Sequence, residues 1–164
     1  MSEPLRLRDI ALFDLESELL ATREVLERLP TAWFDEPTQA GSWTLGQLAR
    51  HTVEVLFWLR TVLEADRFDV ASRPDPARDA VHDGPTLLAR FDELAGAVRA
   101  AAAELPDEAL GAPWSLVHGE TVLRTTPRHV ALRRACLSHL VHHRAQLGVH
   151  LRRRGVTVPE TYPG

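Results

Sequence analysis

The sequence predicts an all-α protein: four long amphipathic helices packed as a four-helix bundle in a single domain spanning residues 1–164, with a short hairpin between the third and fourth helices. Three observations lead there. The eleven prolines leave four long proline-free stretches, between Pro4 and Pro30, Pro37 and Pro74, Pro85 and Pro106, and Pro127 and Pro159. Proline is excluded from helix interiors because it lacks an N–H and its ring collides with the preceding turn. Within these stretches apolar residues recur at three- and four-residue intervals, the period of a helix with one face in a core. The composition is that of an ordinary globular chain, 164 residues with 45% apolar and 26% charged. At this size folding buries roughly 70% of the unfolded surface, so neither a disulfide nor a structural metal is required to hold it.

The first stretch sets Leu12, Leu15, Leu19, Val25, Leu26 and Leu29 against Glu16, Glu18, Arg23 and Glu24, which predicts one helix of about 20 residues. In the second, Thr44 fits an N-cap and Gln47 the N3 position of a capping box, with Trp43 and Leu48 as its hydrophobic staple. Leu48, Val55, Leu59 and Val62 continue the apolar stripe, and His51 falls within it. The third helix is expected to start near Asp83-Gly84-Pro85 and run through Leu87, Leu88, Phe91, Leu94 and Val98 until Pro106 stops it. Periodicity then lapses. Ser115-Leu116-Val117 and Thr121-Val122-Leu123, on either side of His118-Gly119, read as a hairpin. For the fourth helix Thr126 is the expected N-cap, Pro127 the N1 residue and Gly155 the C′ residue. The connection from Asp66 to Asp83, with Pro74 and Pro76, is long enough to cover a pocket. The tail from Val156 is expected to be extended.

Charge and composition remove several classes. All 19 basic residues are arginine, and against 23 acidic ones they leave a net charge of −4, which gives no general attraction to nucleic acid. Arg152, Arg153 and Arg154 are accounted for as cations at a helix C-terminus, where they complement the macrodipole. No stretch approaches the ~18 consecutive apolar residues needed to span a bilayer. One cysteine, Cys136, makes no internal disulfide, and the opening MSEPLRLRDI lacks the apolar centre of a signal peptide. A cytoplasmic protein is expected.

The eight histidines carry the functional signal. His139 and His143 lie one turn apart on the fourth helix, within about 40° of each other at its rim and core-facing side, so their rings can converge on one ion. His142 is about 100° away, towards the polar side, and His150 lies about 10 Å further along the axis, lining the pocket or the surface. Two imidazoles make half of a transition-metal site, and His51, facing the core from another helix, is the candidate third. On spacing alone another reading stands beside this one: an HxxxH pair arising by chance, and a core histidine satisfied by a hydrogen bond. No HExxH is present, which leaves the zincin mechanism unsupported. Cys136 is either a fourth ligand or a small buried hydrophobe, and free cysteine is commonly the latter. His82, His118 and His129 fall in loops or at element ends. Trp43, Trp58 and Trp114 read as core or pocket walls.

Two segments carry a family resemblance. Ser42-Trp43-Thr44-Leu45-Gly46-Gln47-Leu48-Ala49-Arg50-His51 resembles the start of the second helix of the DinB family. His139-Leu140-Val141-His142-His143-Arg144-Ala145-Gln146-Leu147, followed by Leu151–Val156 and Val158–Tyr162, resembles that family's final helix and tail. The sequence departs at Ala145, where the family commonly has glycine. The resemblance implies a four-helix bundle of DinB/YfiT type, with a divalent metal held by His51, His139 and His143 and a homodimer formed through helix faces. It also implies a place in a superfamily that includes bacillithiol transferases and mycothiol-dependent isomerases. The expected activity is therefore thiol-dependent S-transfer to a small electrophile, using a divalent ion and a low-molecular-weight thiol. Two alternatives are a metal-dependent hydrolase of small amides or esters and a non-enzymatic metal-binding or interaction module. Zn or Ni is the expected ion, with Fe, Cu or Mn also compatible with imidazole ligands. The family name refers to damage induction in some members and implies no nucleic-acid substrate.

Overall fold

The computed structural model describes residues 6–72 and 81–160. It is mainly helical, and the four long helical segments appear where the prolines allow them. The segments are α2 (Leu15–Glu27), α3 (Leu45–Glu64), α4 (Gly84–Glu104) and a final one built from α6 (Arg128–Ala131), a π-helical turn (Leu132–Leu137) and α7 (Ser138–Arg153). Two short helices, α1 (Leu7–Ala11) and α5 (Asp107–Gly111), and a three-stranded sheet complete the described elements.

Four expectations require correction. The first helix is not continuous: α1 ends at Ala11 and α2 restarts at Leu15. The break is tertiary in origin. The Asp107 carboxylate accepts from the backbone N–H groups of Leu7 and Arg8 at 3.3 and 2.8 Å, capping α1, while Asp14 is held by Arg133 at 2.5 Å. The final helix begins one residue later than expected, because Thr126 and Pro127 are still paired in the sheet and Pro127 occupies the N-cap position. That helix also contains the π turn, which apolar periodicity did not disclose. Finally, the expected hairpin is part of a larger unit. Strands β2 (Pro113–His118) and β3 (Thr121–Pro127) pair antiparallel, and β1 (Arg67–Asp69) adds to β2 in parallel, giving the order β1-β2-β3. A three-residue strand has too little length for alternation to be legible in sequence. Residues 73–80 of the Asp66–Asp83 connection, including Pro74 and Pro76, and the tail beyond residue 160 lie outside the described residues.

Local chemistry sets the start of each long helix. Thr44 Oγ1 accepts from Gln47 N–H at 3.1 Å while Gln47 Oε1 accepts from Thr44 N–H at 2.8 Å, the reciprocal box expected. Asp83 caps α4 by accepting from Thr86 N–H at 2.7 Å. Gly46 is required by close approach: a Cβ there would stand 2.8 Å from both the ring and the carbonyl oxygen of Phe34. The final helix ends as expected, with Gly155 at φ +82.

Helix α3 packs against both α4 and α7, which explains why nearly every side of it is apolar. Leu45, Leu56, Leu59, Phe91, Leu94, Leu132, Leu140 and Leu147 are among the fully buried side chains of one contiguous core. Two buried arginines fasten the final helix to the rest. Arg128 donates to the carbonyls of Val62 and Ala65 at the end of α3, to Ala109 O at 3.2 Å, and to the Asp66 carboxylate. It thereby satisfies carbonyls that a helix end leaves without intrahelical partners. Arg144 on α7 pairs with Glu18 on α2, both almost fully buried.

Removing one partner from a buried ion pair leaves an uncompensated charge and costs about 3–5 kcal/mol. Glu18→Ala is accordingly expected to lower unfolding free energy by about that amount, read from urea denaturation. The double variant Glu18→Leu, Arg144→Leu should recover most of the loss. Cys136 supplies a second test. It is buried, and desolvation of the thiolate pushes its pKa up to about 12. Ellman's reagent at pH 8 should leave the native thiol unmodified and titrate one thiol per chain in guanidinium chloride. Because the native pKa lies above the unfolded value, this group's contribution to stability is complete below about pH 9 and is lost as pH rises towards 12.

Candidate metal centre

The three histidines singled out in the sequence come together. His51 projects from the second turn of α3, and His139 and His143 from successive turns of α7. His51 Nε2 lies 3.3 Å from His139 Nε2, which in turn lies 2.7 Å from His143 Nε2. One ligand atom from each falls within 4.8 Å of the other two, the only such group of three His, Cys, Asp or Glu among the described residues. His51 and His143 are buried, and His139 is half-buried.

The outer nitrogen of each ring faces an oxygen acceptor. His51 Nδ1 is 3.0 Å from Glu54 Oε2, His143 Nδ1 is 2.8 Å from Gln146 Oε1, and His139 Nδ1 is 3.3 Å from the carbonyl oxygen of Ala135. A neutral imidazole carries one N–H, and these acceptors claim it on the Nδ1 side, leaving the Nε2 lone pair free. Three free lone pairs then converge on one point, which is the donor set a divalent transition metal requires. At metal–nitrogen distances of about 2.0–2.1 Å, tetrahedral ligand atoms stand about 3.4 Å apart. The His51–His139 separation already matches this spacing, and the 2.7 Å pair reaches it by opening roughly 0.7 Å.

Burial also favours the neutral form of the His139 and His143 rings. Desolvation brings the His143 pKa down to about 4, with the neighbouring His51 and His139 rings adding to the effect and the Gln146 contact opposing it. His139 is lowered as well, again first by desolvation and then by His51. Imidazoles that stay unprotonated near neutral pH do not make an incoming cation compete with protons.

Glu54 and Gln146 were missed by sequence reasoning, yet each stands three residues after its histidine and therefore on the same helix face. The patterns His51-x-x-Glu54 and His143-x-x-Gln146 were the available signal. Ala135 acts through its backbone and has no such signature.

The tryptophans are walls, as expected, but walls of the site itself. The Trp43 ring meets that of His51 edge-on at 5.0 Å and stacks on that of His143 at 6.2 Å, while Trp58 lies 5.5 Å from the rings of both His51 and His139. His142 is exposed, its ring edge-on to His143 at 4.9 Å. Cys136 is a buried hydrophobe outside the cluster. His129 contacts the Leu110 carbonyl oxygen through Nδ1 at 3.0 Å, whereas His82 and His118 are exposed.

Two cavities adjoin the cluster. A polar one of about 310 Å³ is bordered by His143, Gln146 and His150 of α7 and by Thr38, Gln39, Ser42 and Trp43 ahead of α3. An apolar one of about 250 Å³ is bordered by His139 and lies among α3, the sheet and the π turn. No described helix is long and apolar enough to cross a membrane.

Comparison with known proteins agrees with this architecture. A DinB-like protein from Bacillus cereus ATCC 10987 is 24% identical, with a TM-score of 0.71 over 93% of this chain and 95% of that one. A DinB-like protein from Bacillus subtilis is 16% identical, with a TM-score of 0.69 over 93% of this chain and 96% of that one. At these identities the likeness speaks for the fold. No curated protein matches the chain. The family model of the DinB superfamily matches residues 15–147, a span that runs from the first residue of α2 into α7 and takes in all three histidines; the chain belongs to the DinB superfamily.

Proposed function

We propose that the protein is a divalent-metal-dependent enzyme of the bundle type expected from the sequence, and that it transfers the sulfur of a low-molecular-weight thiol to a small electrophile. The observation that carries this reading is the convergence of three Nε2 atoms whose Nδ1 partners are already committed to oxygen. His51, His139 and His143 would hold the ion. The group of three leaves further coordination positions open, the arrangement of a catalytic rather than a structural site. A divalent ion bound there supplies Lewis-acid activation, which brings the acidity of a thiol or water near neutral pH.

The chain's own residues do the rest. Glu54, Gln146 and the Ala135 carbonyl orient the three rings. Trp43 and Trp58 cover them, limiting the water that reaches the reacting atoms. The two adjoining cavities differ in polarity, which suits a reaction of two unlike partners better than hydrolysis of one. The polar cavity beside His143 suits the thiol, with Gln39, Ser42 and His150 available to its polar groups. In the transfer the thiol sulfur bonds to the electrophilic carbon, the leaving group departs with its bonding pair, and the thiol proton passes to solvent.

Untagged protein is expected to carry one divalent ion per chain by elemental analysis, and His143→Ala to lose it. Full occupancy in His143→Ala would reject the ligand set. Glu54→Ala should bind the same ion about 10–100-fold more weakly, the usual effect of removing a residue that orients a ligand. With metal-loaded protein, glutathione or cysteine and 1-chloro-2,4-dinitrobenzene, thioether and chloride should form together, faster than without protein. A rate equal to background across a panel of small thiols and electrophiles rejects the transfer reaction, and turnover of an ester or amide without thiol would replace it with hydrolysis.

A further inference from the structure

We propose that the apolar cavity beside His139 is a binding site for one aromatic ring bearing a hydrogen-bond acceptor, such as a nitro, carbonyl or sulfonyl group. Its role as the electrophile's seat rests on the thiol-transfer reading; its capacity to bind the ring does not. Three elements build it. Helix α3 contributes Trp58 and Val62, the sheet region Phe68, Val70, Trp114 and Leu116, and the π turn Ala135 and Cys136.

The chemistry of these walls narrows the ligand. With the Cys136 thiol held protonated by burial, His139 is, among the described residues, the one wall residue that carries a basic nitrogen, and none of those described is acidic or an arginine. An ionic ligand would surrender its hydration there with little in return. Two indole rings and one phenyl ring instead favour a flat π system in stacked or edge-on contact. Size narrows it further: an apolar cavity of about 150 Å³ accepts benzene, so 250 Å³ takes one ring with a few additional atoms.

The need for an acceptor comes from the same tryptophans. The indole N–H groups of Trp58 and Trp114 are both buried and have no hydrogen-bond partner among the described residues. A buried donor left unsatisfied is destabilising, and proteins rarely tolerate two without reason. Both belong to side chains that wall this cavity, so a ligand oxygen that either indole turned to meet would relieve the deficit. His139 then sets the reacting end of such a molecule next to the three converging nitrogens.

Nitrobenzene, one ring with an acceptor, is the probe. Titrated calorimetrically into chelator-treated full-length protein, it is expected to bind saturably at one site per chain. Benzoate, with the same ring and a charge, should bind at least tenfold more weakly. Ala135 and Val70 are exposed residues on separate walls, so Ala135→Trp and Val70→Trp obstruct the cavity independently, and each should weaken nitrobenzene at least tenfold. Absence of saturable binding, equal affinity for benzoate, or undiminished binding in whichever of the two variants folds would overturn the proposal. Because the protein is metal-free in this titration, nitrobenzene binding without any thiol transfer would sink the proposed function and leave the cavity assignment standing. Transfer activity without nitrobenzene binding would do the reverse.

Discussion

Three nitrogen lone pairs aimed at one another across about 3 Å repel, and the centre of this protein is organised around holding them there. Neutral imidazole could escape the repulsion by moving its proton to the inner nitrogen or by turning its ring. Neither route is free. A carboxylate, an amide oxygen and a backbone carbonyl each engage the outer nitrogen of one ring, and packed tryptophans limit rotation. What remains is a site in which a cation shared among the rings would cancel the repulsion.

That demand explains features remote from the histidines. Two rings come from α7 and one from α3, so the axial and rotational setting of these helices must be held to fractions of an ångström. The buried Arg128 ties the start of the final helix to the end of α3, and the buried Arg144 ties its middle to α2. At the other end Arg154 bonds Glu36 at 3.2 Å and the Pro37 carbonyl at 3.3 Å, anchoring the helix to the segment ahead of α3. Buried guanidinium groups are costly to desolvate, and their fixed forks of donors are suited to setting register between elements.

Legibility from sequence followed the range of the forces involved. The capping box at Thr44 and Gln47, the Asp83 cap and the Gly155 stop are settled within a few residues, and each was found where local rules placed it. The histidines were legible because helical spacing converts sequence separation into direction. Glu54 and Gln146 obeyed the same rule but do not stand out among a chain's many polar residues. The break before α2 and the parallel strand β1 depend on Asp107, Arg133 and β2, partners between 40 and 120 positions away, and the one-residue delay of the final helix on the pairing of Thr126 and Pro127 with Trp114 and Pro113. No window of local sequence contains such contacts.

The π turn has a further consequence for how this protein tolerates change. A turn closed from residue i to i+5 holds one residue more than an α turn, so residues 132–137 act as a phase shifter between Arg128 and the histidines. Deleting one position within that run would let the segment relax into ordinary α-helix with both halves of the rod still in phase, whereas deleting one from the α-helical turns beside it would swing one half by roughly 100° against the other. Either the arginine anchor or the imidazole pair would then face the wrong way. A one-residue gap is therefore tolerated within residues 132–137 but not in the α-helical turns that carry the histidines, and gaps in this helix of related sequences should concentrate in the former.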